Sequence, residues 1–176
     1  MKKILFLIPF WFTFCLLVLL SAGCGSVKTS SYFDEPQVKL DSYAGLEISD
    51  FETKIPYLPK DALTQIPDET ASLLTSKNSG FQKVGRQPLK DIPDQSTLVL
   101  LGEVVEYQSG KNFKFEGGAV KFGEASLTVQ LVIVEKETGR EIVTGEVNGF
   151  SSLGFTKAGI YKGVAEEIVK FISENY

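Results

Sequence analysis

Ala125, Leu127, Val129, Leu131 and Ile133 alternate with Ser126, Thr128 and Gln130, and the run breaks at Glu137-Thr138-Gly139-Arg140. Period two over that length predicts a half-buried strand, because every second side chain falls on one face. Gly139 stands where a three-residue hairpin loop wants left-handed backbone, and residues 142–147 supply a returning antiparallel strand. Leu98-Val99-Leu100-Leu101, inside 97–107, is apolar on both faces and reads as a central strand of the same sheet.

Helical spacing flanks these strands. Leu63, Ile66, Thr70, Leu73, Leu74 and Lys77 share one face of a helix expected to start near Pro67, where Asp68 and Glu69 suit the positive end of the helix dipole. Gly80 reads as the residue just past its end, with Phe81 as the apolar contact that completes the cap. Ile160, Val164, Ile168, Phe171 and Ile172 form one stripe of a closing helix, with Lys162, Glu166, Glu167 and Lys170 outside it. Leu46, Ile48 and Phe51 predict a first strand, and Phe81, Val84 and Gly85 a short one. The expected class is α+β: a mostly antiparallel sheet of about five strands with two helices packed on one face, forming a single domain over 43–176.

Ahead of the domain, Lys2 and Lys3 precede residues 4–20, which carry no charge, and Leu20-Ser21-Ala22-Gly23-Cys24 closes the run. This layout reads as a secretory signal peptide over 1–23, cleaved between Gly23 and Cys24. The alternative is an uncleaved membrane anchor, against which stand the small residues at 21–23 and the single Lys28 where a basic stop-transfer cluster would be. The five residues resemble the lipobox of bacterial lipoproteins. That resemblance implies a covalent diacylglyceryl lipid, with acyl chains such as palmitate, on Cys24, the first residue of the mature chain. Gly25 and Ser26 lack the Asp that favours inner-membrane retention, so the implied address is the outer membrane, facing the periplasm. Residues 24–42, dominated by polar residues such as Ser26, Thr29, Ser30, Ser31, Asp34, Glu35 and Asp41 with Pro36, read as the lipidated N-terminus and a flexible tether. The alternative is an edge segment that packs back onto the domain through Tyr32, Phe33 and Val38.

The formal charge is −4, and losing Lys2 and Lys3 makes it more negative, which argues against nucleic acid as a partner. Cys15 leaves with the signal peptide, so no internal disulfide is expected and the core alone holds the domain. There is no His, which removes a Ser-His-Asp triad, a Cys-His pair and an imidazole metal site. Ser109-Gly110-Lys111-Asn112 lacks the upstream Gly and the hydroxyl of a phosphate loop. Glu103 and Glu106 are the most interesting carboxylates, but three apart on a regular strand they point to opposite faces. The expectation is a non-enzyme with no catalytic residue, no metal, no cofactor beyond the lipid and no evident small-molecule substrate.

Residues 108–123 mix Gly110, Gly117, Gly118 and Gly123 with Phe113, Phe115 and Phe122 and with Lys111, Lys114 and Lys121. The simplest reading is a hairpin whose aromatics pack on a sheet face. A second is a partner-docking loop anchored by Phe113, Phe115 and Phe122. A third, strands entering a membrane on oligomerisation, is disfavoured because Lys111, Lys114, Glu116 and Lys121 interrupt the apolar alternation. Residues 98–107, the Gly110 loop, Phe122-Gly123-Glu124-Ala125, the strand to Val134 and Glu137-Thr138-Gly139-Arg140-Glu141-Ile142 resemble the bacterial lipoproteins that carry domain of unknown function 4410, while Phe113-Lys114-Phe115 and Val120-Lys121 depart from that family's Gly-rich loop. The resemblance implies a membrane-anchored lipoprotein whose periplasmic domain binds or scaffolds envelope protein partners. Fold-level analogy with export-pore proteins implies the alternative, an oligomeric component of an envelope export or secretion complex.

Overall fold

The computed structural model describes residues 27–176 apart from 78, 87, 111–112, 117–118 and 152–156, and for 113–116 and 119–122 it describes the backbone. Gly23 and Cys24, with the expected signal peptide, lie outside the described residues. In chain order the elements are β1 (Val27–Phe33), β2 (Gly45–Ile48), β3 (Glu52–Thr53), α1 (Ala62–Ser76), β4 (Lys83–Gly85), β5 (Thr97–Ser109), β6 (Phe113–Glu116), β7 (Ala119–Phe122), β8 (Ala125–Glu135), β9 (Glu141–Ser151) and α2 (Lys157–Asn175).

Seven strands form one sheet in the order β1-β9-β8-β5-β2-β4, with β3 beside β5, while β6 and β7 form a separate two-stranded ribbon. The expected α+β class holds, but the sheet is mixed. The ladders β1/β9, β9/β8 and β8/β5 are antiparallel, whereas β5/β2, β2/β4 and β5/β3 are parallel. Parallel pairing follows from two crossovers: the chain returns from β2 to β4 through α1, and from β4 to β5 through residues 86–96, so β4 and β5 flank β2 in the same direction.

The expected tether over 24–42 is corrected by β1. Val27–Phe33 is an edge strand, running from Val27 opposite Ser151 to Phe33 opposite Gly145. The reason is packing that the sequence pattern conceals. Thr29 and Ser31 donate hydroxyl hydrogen bonds to the two oxygens of Glu167 on α2, at 2.9 and 3.1 Å. Phe33 stacks on Phe171 with ring centroids 3.8 Å apart. Beyond β1, Asp34 and Gln37 donate backbone N–H groups to Thr144 and Ile142, and Leu40 is buried. The folded domain therefore takes in residues that the sequence assigned to a linker.

Both helices cover one face of the sheet. Leu46, Ile48, Leu98, Leu100, Val129 and Leu131 come up from the strands to meet Ile66, Leu74, Val164, Ile168 and Ile172 from the helices, all buried. Each such side chain contributes on the order of 1.5–3 kcal/mol when removed from water. α1 begins five residues before Pro67 and keeps the proline inside. Gly80 does not cap it: Lys77 is the C-terminal cap, and the left-handed backbone of Gly80 (φ 94°) instead leaves room for the C-terminal Tyr176 ring, which also meets Phe81 edge-on. The β8–β9 turn is as expected, with Gly139 at φ 69° and its N–H bonded to the Glu135 carbonyl at 2.9 Å.

Candidate functional site

Two regions of the surface remain after the helices have covered their face: the opposite side of the sheet and the β6–β7 ribbon. On the sheet, the residues facing away from the helices include Tyr32 of β1, Leu101 of β5 and Phe150 of β9, which are 70, 41 and 40 % exposed. Between them runs a polar row. The Thr128 hydroxyl lies 2.7 Å from the Asn148 side-chain oxygen and 3.4 Å from a Glu106 oxygen, and the Asn148 amide donates to Glu146 at 3.2 Å. Tyr32 donates to Asp34 at 3.0 Å and Thr144 donates to the other Asp34 oxygen. The Thr144 bond first, then that from Tyr32, holds the Asp34 carboxyl below its usual range.

A bulge in β5 places an unexpected residue on this face. The register slips between Val104 and Glu106, so Glu103 lies opposite Gln130 and Glu106 opposite Thr128. Gln130 and Thr128 are two apart on β8 and share a face. Glu103 and Glu106 therefore stand on the same uncovered side, not on opposite faces as a regular strand would require. Glu103 pairs with Lys54 at 3.0 Å, as expected of a solvated glutamate. A groove of about 400 Å³ opens beside it where β2 hands over to β3, lined in part by Asp50, Glu52, Glu103, Leu101 and Gln130. Arg86 ties its rim, donating to Asp50, to the Ile48 carbonyl and to Asp68. Among the described residues no cluster of His, Cys, Asp or Glu could hold a metal ion.

Other ionic groups serve the frame. Glu135 accepts from Arg140 at 2.6 and 3.2 Å, from Thr138 at 2.7 Å and from Tyr43. These bonds, Arg140 first, pull its carboxyl down to about 2. Glu47, nearly buried, is matched by Lys136 at 2.7 Å and by the Leu89 N–H at 2.8 Å. Desolvation pushes the Tyr161 hydroxyl well up; it is buried and finds no hydrogen-bond partner among the described residues.

Of the residues singled out in the sequence, Phe113, Phe115 and Phe122 fall on the ribbon. Its register sets Phe113 opposite Phe122, Lys114 opposite Lys121, Phe115 opposite Val120 and Glu116 opposite Ala119. The ribbon leaves the sheet at Ser109 and rejoins it at Ala125. Ala125 pairs with both Ser109 and Ser151, and Ser151 pairs with Val27. The ribbon and the first described residue of β1 are thus at one end of the sheet. Sequence reasoning missed the exposed triad Tyr32, Leu101 and Phe150, because β1 reads as polar and only the strand order brings the three to one face.

No family model matches the chain, and no curated protein does, so the likeness to domain of unknown function 4410 rests on its motifs. Solved structures do match. A single-residue variant of PelC from Paraburkholderia phytofirmans, crystallised as a dodecamer, aligns with a TM-score of 0.58 at 12% identity, covering 83% of this chain and 98% of that one. A second crystal form of the PelC dodecamer aligns at 0.56, also at 12% identity, over 81% and 96% of the two chains. Lipoprotein GNA1162 from Neisseria meningitidis aligns more loosely, at 0.44 and 13% identity over 74% and 99% of the two chains. At these identities the likeness establishes one thing: the chain has the fold of the PelC protomer.

Proposed function

We propose that the chain is an envelope lipoprotein, anchored through lipid on Cys24, whose non-enzymatic periplasmic domain binds a protein partner through its uncovered sheet face. The observation that carries this reading is the asymmetry of the sheet. One face is closed by two helices, while the other presents Tyr32, Leu101 and Phe150 around a hydrogen-bonded polar row. Aromatic anchors set in a polar surround are the composition of interface cores. The Leu-Ser-Ala-Gly-Cys sequence supports the anchor, and Gly25-Ser26 supports the outer membrane. The test is site-specific photocrosslinking of the full-length protein in its native envelope. Probes at Phe150 and Tyr32 are expected to yield one common adduct that a probe at Lys170, on the helix side, does not give. Identical adducts from all three positions would sink the reading.

A second reading, a ring-forming component of an export or secretion complex, is favoured by one observation: the fold is that of a protein that assembles as a dodecamer. Native mass spectrometry of the lipidated full-length protein in detergent separates the two, since a protomer that stays single up to micromolar concentration removes the ring.

A further inference from the structure

The position of β1 fixes which end of the domain would meet the membrane. Cys24 precedes Val27 by three residues, and three residues span at most about 11 Å even when fully extended. A lipid on Cys24 therefore cannot hold the domain away from the bilayer; it draws the Val27 end of the sheet to the surface. Val27 pairs with Ser151, Ser151 with Ala125, and Ala125 with Ser109. At about 4.8 Å per strand, the roots of the β6–β7 ribbon lie about 10–14 Å from β1 along the same end. Only residues 110–112 on one side and 123–124 on the other separate the ribbon from those roots.

The ribbon has the composition of an interfacial segment. Alternation and register put Phe113, Phe115, Val120 and Phe122 on one of its faces, and Lys114, Glu116, Ala119 and Lys121 on the other. It is hydrogen-bonded as its own two-stranded sheet, and such a ribbon is marginal in water unless something buries its apolar face. Charge favours the same occupant. In a chain of net charge −4, the ribbon itself carries Lys114 and Lys121 against Glu116, with the exposed Lys28 next to Val27. Basic groups beside an apolar face suit an anionic lipid surface. With four residues per strand the ribbon is too short to cross a bilayer.

We infer that the β6–β7 ribbon lies in the headgroup region of the membrane that carries the Cys24 lipid, and makes a second, non-covalent contact that fixes the orientation of the domain. The two acyl chains of a diacylglyceryl group already hold the protein stably, so what the ribbon adds is orientation and not retention. The inference rests on the lipoprotein reading, and the experiment keeps the two apart.

Trp11, the sole tryptophan, lies in the signal peptide, so a mature Phe115→Trp protein carries one tryptophan. The full-length variant is expressed, processed, purified and reconstituted into vesicles of phosphatidylethanolamine and phosphatidylglycerol. Intact mass first establishes the diacylglyceryl group; its absence overturns the lipoprotein reading, and the inference with it. With the lipid present, the indole of Phe115→Trp is expected to emit at shorter wavelength than in water. It is also expected to lose about half its emission to lipids brominated near the headgroup, the depth of about 5–10 Å that interfacial segments reach. Phe122→Trp, on the facing strand and the same face, is expected to behave alike, and Tyr32→Trp, at the far end of β1, to remain unquenched. Lipidated Phe115→Trp and Phe122→Trp proteins whose indoles emit as in water, or are shielded without quenching, overturn the membrane contact and leave the anchor standing.

Discussion

The backbone N–H of Phe51 donates to the carbonyl of Leu63 at 2.9 Å. Within α1 that carbonyl would ordinarily take the N–H of residue 67, but residue 67 is a proline and has none. The helix loses one internal bond, and the strand crossover between β2 and β3 supplies the replacement. The same Phe51 ring lies over Gly102 of β5, where an added Cβ would sit 2.6 Å from a ring carbon. Phe51 is thereby held between α1 and β5 at the point where β2 gives way to β3.

Gly102→Ala is expected to cost about 1–3 kcal/mol, because the buried Phe51 ring cannot swing aside without disturbing its contacts. Urea unfolding of Gly102→Ala, Phe51→Leu and the double variant measures the coupling. If the two costs simply add, the close approach is not the cause.

Glu135 ties stability to acid. Its folded carboxyl is held at about 2, below the ordinary 4.5, so it titrates at lower pH in the native state than in the unfolded chain. Its contribution is complete above about pH 4.5 and is lost as the pH falls through the folded value near 2. Glu135→Gln is expected to be less stable than wild type at neutral pH, and its unfolding midpoint is expected to fall less steeply between pH 4.5 and 2. Parallel midpoint curves for the two proteins would contradict this.

Glu167 clasps the edge strand. Glu167→Ala leaves Thr29 and Ser31 without their acceptor and is expected to lower the opening free energy of β1 by about 1 kcal/mol. Hydrogen exchange provides the measurement: amides of Val27–Phe33 should speed up while those of β8 stay protected. Uniform acceleration across the sheet would mean that the pair supports the whole fold and not the edge alone.

The uncovered face predicts a separation of stability from binding. Tyr32→Ser removes an exposed ring and is expected to shift stability by no more than about 0.5 kcal/mol. The same substitution is expected to weaken the common crosslink captured from Phe150, since aromatic anchors carry a disproportionate share of an interface. An undiminished crosslink would place the partner elsewhere.

Cys24→Ala is expected to shift the protein out of the membrane fraction, which fractionation reads directly. A variant that stays in that fraction would favour the uncleaved anchor.

Local periodicity was enough to place β8, β9, the Gly139 turn, the centre of β5 and the apolar stripe of α2, because in each the side chains that pack are also the ones that alternate. It was silent on β1. There the inward positions are Thr29 and Ser31, which are held by a carboxylate 136 or more residues away, and no local pattern encodes such a partner. It misplaced Glu106 for the same reason: a bulge is set by how β5 meets β8, and period-two counting fails across one extra residue. The parallel pairings of β2 were likewise decided by two crossovers, α1 into β4 and residues 86–96 into β5, since apolar strands of either sense look alike in sequence. The sequence by itself determined the α+β class, the paired long strands and a cysteine motif suited to lipid. Only the tertiary structure decided that this motif stands three residues from a strand, and therefore which end of the domain a lipid would bring to the bilayer. A chain pattern records what each residue is, whereas distance from an anchor depends on where the strand that follows it finds its partner.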